Sequence, residues 1–117
     1  MEILEKGFNP SEVEGTILGD FEPAINVSRI SSFNGRMIIT TEKVYLMPNY
    51  QAGAVDAFGQ LVYKPRCFQL AEIEGYKKTG LAGYRITLKD GTELNFSNVF
   101  GKMRKGITAA LEEGLGK

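Results

Sequence analysis

The stretch from Tyr84 to Lys117, YRITLKDGTELNFSNVFGKMRKGITAALEEGLGK, constrains the fold more than any other part of the chain. Tyr84, Ile86 and Leu88 alternate with Arg85, Thr87 and Lys89, and Leu94 and Phe96 alternate with Glu93, Asn95 and Ser97. A period of two is the mark of strands with one buried face. A two-residue Asp90-Gly91 loop would set Leu88 against Glu93 and Thr87 against Leu94, mixing apolar and polar residues on both faces. A three-residue loop, Lys89-Asp90-Gly91 with Gly91 left-handed, pairs Leu88 with Thr92, Ile86 with Leu94 and Tyr84 with Phe96. Face matching therefore selects the three-residue loop. Beyond it, with Ser97 or Asn98 as N-cap, Val99, Phe100, Met103, Ile107, Ala110 and Leu111 fall on one helical face, and Gly114 supplies the stop.

Length and composition bound the rest. A chain of 117 residues, 43% hydrophobic and 24% charged, is one domain able to bury a core without cross-links. Its single cysteine, Cys67, rules out an intrachain disulfide framework and fits a reducing compartment. No segment reads as a signal peptide or as a bilayer-spanning run, so a cytoplasmic location is expected. Net charge is zero but unevenly spread: residues 1–22 hold six acids against Lys6, leaving 13 basic and 8 acidic residues in the remainder. The expected division is an acidic N-terminal lead, 1–22, and a domain, 23–117. Zero net charge argues against nucleic acid as a partner, because phosphate neutralisation needs a concentrated basic surface.

Strand patterning begins at Ala24. The Asn34-Gly35 pair reads as a turn with positive φ. Arg36–Thr40 and Val44–Met47 then form a hairpin that Pro48 ends, and its two apolar faces (Met37 and Ile39; Ile38 and Tyr45) imply cover on both sides. Residues 49–60 break the rhythm with a Gly- and Ala-rich loop that carries Tyr50, Val55 and Phe58. Strand character resumes from Leu61 to Leu70, with Pro65 implying an edge or bulge, and again from Ile73 to Lys78. The segment Gly80-Leu81-Ala82-Gly83 turns the chain into the final hairpin. The tally is about seven short strands and then one helix.

Catalysis is poorly provided for. Histidine, the commonest general base and metal ligand, is absent. Cys67 has no histidine to activate it and reads as packing. Glu72 and Glu74, two apart on an expected strand, read as a solvated face, and no phosphate-cradling motif is present. No cofactor and no metal is expected. Three features stand out as binding surfaces. Lys77 and Lys78 precede a glycine turn. Lys102, Arg104 and Lys105 sit early in the helix and Glu112 and Glu113 late, against the helix dipole, while Gly101 and Gly106 weaken it by about 1 kcal/mol each. Tyr50 and Phe58 are large apolar groups on a long loop, placed for a subunit contact, a pocket or a membrane interface.

The segment Gly35-Arg36-Met37-Ile38-Ile39-Thr40-Thr41, followed by Val44-Tyr45-Leu46, resembles the "glycine, strand, threonine turn, aromatic strand" signature of the GRAM domain, within the pleckstrin-homology-like superfold. Phe68-Gln69-Leu70 with Glu72 and Ile73 is similar to that family's later apolar-acidic-isoleucine segment. The resemblance spans about residues 24–113. It implies a mainly β fold, a seven-stranded bent barrel capped by a C-terminal α-helix, used for binding and not for catalysis. The helix lacks the tryptophan of many such domains, and only Arg29 and Arg36 stand where a phosphoinositide site would be basic, so lipid specificity does not carry over. The expectation is a non-enzymatic, self-associating module that recognises a protein or peptide partner, forming a homo-oligomer. The alternative is electrostatic attachment to anionic lipid headgroups through Lys77, Lys78, Lys102 and Lys105. A second alternative is a small barrel with an apolar ligand pocket near Tyr63, Tyr76 or Tyr84 beside Glu72 or Glu74.

Overall fold

The computed structural model describes residues 1–4, 10–26, 32–48, 54–55 and 61–117. The elements are β1 (Glu2–Ile3), β2 (Ile17–Phe21), β3 (Ala24–Asn26), β4 (Ser32–Thr40), β5 (Lys43–Pro48), β6 (Ala54–Val55), β7 (Leu61–Tyr63), β8 (Arg66–Gln69), β9 (Ile73–Thr79), β10 (Gly83–Leu88), β11 (Glu93–Ser97) and the helix α1 (Gly101–Gly114). Nine strands form one antiparallel sheet in the order β1-β8-β5-β4-β3-β11-β10-β9, with β2 pairing β4 on the same side as β3; β6 and β7 make a separate hairpin. β2 and β3 are two halves of one strand, broken at Glu22-Pro23. Counted so, and leaving aside the two-residue β1, the sheet holds the seven strands read from the sequence. The sheet also takes in part of the acidic lead, since β2 pairs with β4 from Ile17↔Thr40 to Phe21↔Met37.

The last hairpin has the register that face matching selects: Tyr84↔Phe96 and Ile86↔Leu94, with the Leu88 N–H donating to the Thr92 carbonyl at 2.9 Å. Gly91 lies at φ 93°, where only glycine is unstrained, and closes the three-residue loop. Tyr84, Ile86, Leu88 and Phe96 are all buried and enter one core with Met37, Ile39, Leu46, Phe68, Ile107 and Leu111.

Three expectations of local structure are corrected. Asn34-Gly35 is not a turn; both residues lie inside β4, and neither has positive φ. Gly35 is there for packing, because a Cβ would fall 2.3 Å from the Ile25 Cδ1. The helix begins later than Ser97 or Asn98 would start it: Phe100 is the N-cap, without a side-chain capping bond. Asn98 instead turns the chain at φ 57°, a conformation asparagine tolerates, and Val99 drops into the core ahead of the helix. Phe100 consequently leaves the apolar face and is 62% exposed. The stop is Gly116, not Gly114. Gly116 has φ 77°, its N–H donates to the Glu113 carbonyl at 3.1 Å, and the Lys117 N–H donates to Glu112 at 2.8 Å, the paired bonds of a Schellman ending.

Two of the three helix glycines, Gly106 and Gly114, have steric causes. At Gly106 a Cβ would meet the Phe21 Cε1 at 2.7 Å, and at Gly114 it would meet the Leu70 Cδ1 at 2.5 Å. Gly19, on β2, leaves room for the other side of the same Phe21 ring. Ile107 and Leu111, fully buried on this helix, contribute about 1.5–3 kcal/mol each. That outweighs the ~1 kcal/mol lost at each interior glycine.

Both faces of the β4–β5 hairpin are covered, as its composition requires. Met37 and Ile39 enter the main core, while Ile38, Tyr45 and Cys67 form a second cluster against which Leu4 and Val13 pack. The described residues of the N-terminal lead thus form a strap over the outer sheet face. It is pinned by the Glu14 N–H to the Tyr45 hydroxyl (2.9 Å), by Lys43 Nζ to Glu14 (3.1 Å) and by the terminal ammonium to Glu72 (3.1 Å).

Candidate functional site

The sheet does not close. Its path ends at β1 on one side and β9 on the other, so among the described residues β9 pairs with β10 alone. The short β1 caps part of β8, through Glu2↔Cys67 and Ile3↔Arg66. No described strand pairs along the outer side of β9 (Ile73–Thr79), whose alternate residues turn their backbone groups outward; the Thr79 carbonyl is taken by Arg104, and the register against β10 shifts between Thr87 and Leu88.

The register divides the side chains of this edge between two faces. Lys78 lies opposite Tyr84 and Tyr76 opposite Ile86, on the core side; Lys77 lies opposite Arg85, on the outer side. Lys77 and Lys78 therefore project in opposite directions from one strand end. Arg85 is occupied, its Nε donating to the Asn95 Oδ1 at 2.9 Å with Glu93 at 3.9 Å. On the core side the Tyr84 hydroxyl meets the Thr108 hydroxyl at 2.8 Å, tying β10 to the flank of α1, and the Lys117 ammonium sits 5.5 Å above the Tyr76 ring.

At the Thr79 end the edge runs into a clamped turn. The Arg104 guanidinium donates from Nη2 to the carbonyls of Thr79 (2.9 Å), Gly80 (2.7 Å) and Gly83 (3.0 Å), and from Nε to that of Val99 (3.0 Å). The Val99 N–H in turn donates to the Ala82 carbonyl at 2.9 Å. A charge that looked adverse to the helix dipole is thus the group that satisfies four backbone acceptors and fixes the helix start against the turn. Leu81, at the tip, is 97% exposed. Phe100, the N-cap of α1, is the second large apolar side chain in solvent on the corner that Arg104 and the Val99–Ala82 bond form between this turn and the helix start. Lys102 and Lys105 extend from that turn, both exposed.

Of the sequence-derived lysines, Lys77 and Lys78 stand on opposite faces near the Thr79 end of β9, and Lys102 and Lys105 in the first two turns of α1, which Arg104 ties to that strand end. Tyr50 and Phe58 lie outside the described residues. Leu81 and Phe100 were missed by sequence reasoning: Leu81 reads only as part of a turn, and Phe100 falls on a helical face that starts two or three residues too early.

Other chemistry is sparse. Among the described residues no group of three or more His, Cys, Asp or Glu side chains is placed to hold a metal ion. Burial first, and then the neighbouring Glu2 carboxylate, pushes the Cys67 thiol up from its ordinary range, which removes it as a nucleophile at neutral pH. Glu72 is not on a strand with Glu74; it ends the 3-10 turn Leu70–Glu72 and accepts the Gln69 N–H at 2.7 Å. That bond, and then the terminal ammonium, hold its carboxyl below the usual carboxylate range. Two adjoining open clefts, of about 390 and 260 Å³, share Lys43 and Gln69 near this turn. Neither is lined by Tyr76 or Tyr84. The Tyr63 side chain lies outside the described ones.

The fold as a whole is matched in known structures. The C-terminal domain of an unknown protein from Leishmania infantum superposes with a TM-score of 0.67 at 15% identity, over 91% of this chain and 90% of that one. The DH/PH domains of p115-RhoGEF match with a TM-score of 0.67 at 8% identity, over 88% of this chain. The fold is pleckstrin-homology-like. A DH/PH fragment of PDZRhoGEF, in a structure of its complex with human RhoA, gives a TM-score of 0.65 at 10% identity over 94% of this chain. This chain spans about a third of those DH/PH chains, 30% and 34%. No family model matches the sequence, and no curated protein matches it. At such identities the likeness carries the fold alone. No helix among the described residues is long and apolar enough to cross a membrane.

Proposed function

We propose that this chain is a non-catalytic, cytoplasmic binding module that recognises an extended segment of a protein partner by adding it as a strand to β9. The observation that carries this reading is the seven-residue outer edge of β9, bonded to β10 on one side only among the described residues. Strand addition draws affinity from main-chain hydrogen bonds and specificity from alternate side chains, a mode used on related folds. Among pleckstrin-homology-like domains, the GRAM reading rests on the Gly35–Thr41 and Val44–Leu46 wording. The threonines of that signature have work in this chain: the buried Thr40 hydroxyl accepts the N–H groups of Glu42 and Lys43, and Thr41 Oγ1 accepts that of Thr16. The RhoA complex of the PDZRhoGEF fragment is consistent with protein recognition by a fold of this shape.

Self-association has less support than the sequence suggested. The outer face of the β4–β5 hairpin, the expected subunit contact, is occupied by the chain's own Leu4 and Val13. Two β9 edges paired antiparallel about Tyr76 would set Lys78 against Glu74, so the charges of the edge do not oppose a second copy there. Sedimentation at micromolar concentration tests self-association: a concentration-dependent dimer supports it, and a monomer throughout overturns it.

Selection of random decapeptides against the purified protein, followed by mapping of amide shifts, tests the main reading. Peptides that perturb Ile73–Thr79 support it. Peptides that perturb only the Lys43 clefts, or a protein that selects no peptide and floats with anionic vesicles, overturn it in favour of a pocket or a headgroup site.

A further inference from the structure

From the charge and apolar groups along the β9 edge, we infer that its partner is an acidic extended peptide that carries an apolar side chain where it passes the Leu81–Phe100 corner. The inference rests on the strand-addition reading and names the chemistry of the segment added.

The edge is electrically polarised along its length. At the Ile73 end stand Glu74, exposed, and Glu72, whose carboxyl also feels Asp90. At the Thr79 end, residues 77–85 and 97–106 contain six basic side chains and no acidic one. Two of the six are spoken for, Arg104 by four carbonyls and Arg85 by Asn95 and Glu93. The other four, Lys77, Lys78, Lys102 and Lys105, take part in none of the ion pairs among the described residues. Glu22, which precedes β3, lies instead in the field of Arg36.

An added strand projects successive side chains to opposite faces. One set passes the core side, beside Lys78; the other passes the outer side, beside Lys77. Positive charge waits on both, so consecutive acidic residues at this end find opposite charges, and a basic segment is repelled. The acidic residues at the Ile73 end oppose the reversed placement and so set orientation.

Leu81 and Phe100 complete the pattern. Arg104 holds the turn so that Leu81 cannot fold back onto the core, and a leucine held 97% exposed lacks a structural role in the monomer. A bilayer would also attract lysines and accept both apolar groups. It would not use the outward N–H and C=O groups of β9, whereas a peptide strand bonds to them. The edge and the corner are contiguous, and a peptide serves both.

The test uses three extended decapeptides of one backbone pattern: an acidic one with a single leucine near one end, its Asn/Gln counterpart, and its Lys/Arg counterpart. Fluorescence anisotropy gives affinity, and hydrogen exchange of Ile73–Thr79 reports strand addition. The acidic peptide is expected to bind at least about ten-fold more tightly than the basic one at low salt, with the gap narrowing at 0.5 M salt. K77E/K78E is expected to reverse the preference, and L81S/F100S to weaken the acidic peptide several-fold. All four positions are exposed, so the fold is retained, which unchanged Tm checks. Equal affinities with β9 still protected would overturn the acidic assignment and leave strand addition standing. Absence of β9 protection with every peptide would overturn both. Binding of anionic vesicles that L81S/F100S abolishes, with no peptide bound, would overturn the peptide in favour of a bilayer.

Discussion

At the scale of single residues, steric and electrostatic surroundings decide what a residue type means. Gly106 and Gly101 carry the same symbol in one helix. A Cβ at Gly106 would meet the Phe21 ring at 2.7 Å, while a Cβ at Gly101 meets nothing within 4 Å. Gly106→Ala is therefore expected to destabilise by about 1–3 kcal/mol through overpacking, in spite of alanine's better propensity. Gly101→Ala is expected to be neutral or to stabilise by up to about 1 kcal/mol. Denaturant unfolding of the two variants separates these outcomes. Glu72 gives a pH dependence. Its carboxyl is held below the ordinary carboxylate range by the Gln69 N–H and then by the terminal ammonium. A depressed folded value means stability that is present above the unfolded value and is lost as pH falls through the folded one. Between the two, from about 4.5 downward, the wild type should lose Tm more steeply than Glu72→Gln. Thermal melts from pH 6 to pH 2 check this; parallel curves would remove Glu72 from the account.

At the scale of elements, the Arg104 clamp joins β9, β10 and α1 at a point where none of them could fix the others alone. Among the described residues its guanidinium meets four carbonyls and no carboxylate. Arg104→Ala would leave those acceptors to water and is expected to cost about 1.5–3 kcal/mol, with faster amide exchange in residues 80–83. Arg104→Lys should recover part of the loss, since an ammonium cannot span the same fork. The elements also mark the limits of sequence reading. The 84–96 hairpin was legible down to its register because one buried face permits only one loop length. Asn34-Gly35 was not, because a glycine required by a neighbour's side chain looks the same in sequence as one required by a turn. The helix start was displaced for a related reason: Asn98 has the composition of a cap but takes a left-handed turn, and Val99 uses the next residue to enter the core. With the start displaced, periodicity carried Phe100 into the core, and half of the apolar corner was lost from view. The lysines survived that error because charge does not depend on helical phase.

At the scale of the whole molecule, the nine-strand sheet has two apolar faces and two ends, and the chain treats them differently. The helix covers the inner face, and the N-terminal strap covers the outer face of the β4–β5 hairpin. One end, β8, is capped in part by β1. The other, β9, is left with its backbone groups facing outward among the described residues. An open edge invites wrong partners, and lysines are a common guard against them. Here Lys77 and Lys78 guard the same strand end that a clamped turn furnishes with Leu81, which a guard alone would not explain. The central claim is that β9 accepts a strand. The most direct measurement is residue-resolved amide exchange of Ile73–Thr79, free and with saturating acidic decapeptide. The account predicts alternate fast-exchanging amides in the free protein and at least about ten-fold slowing of those amides in the complex, with β4 and β5 unchanged. Amides of β9 already protected in the free protein, or untouched by a bound peptide, would contradict it.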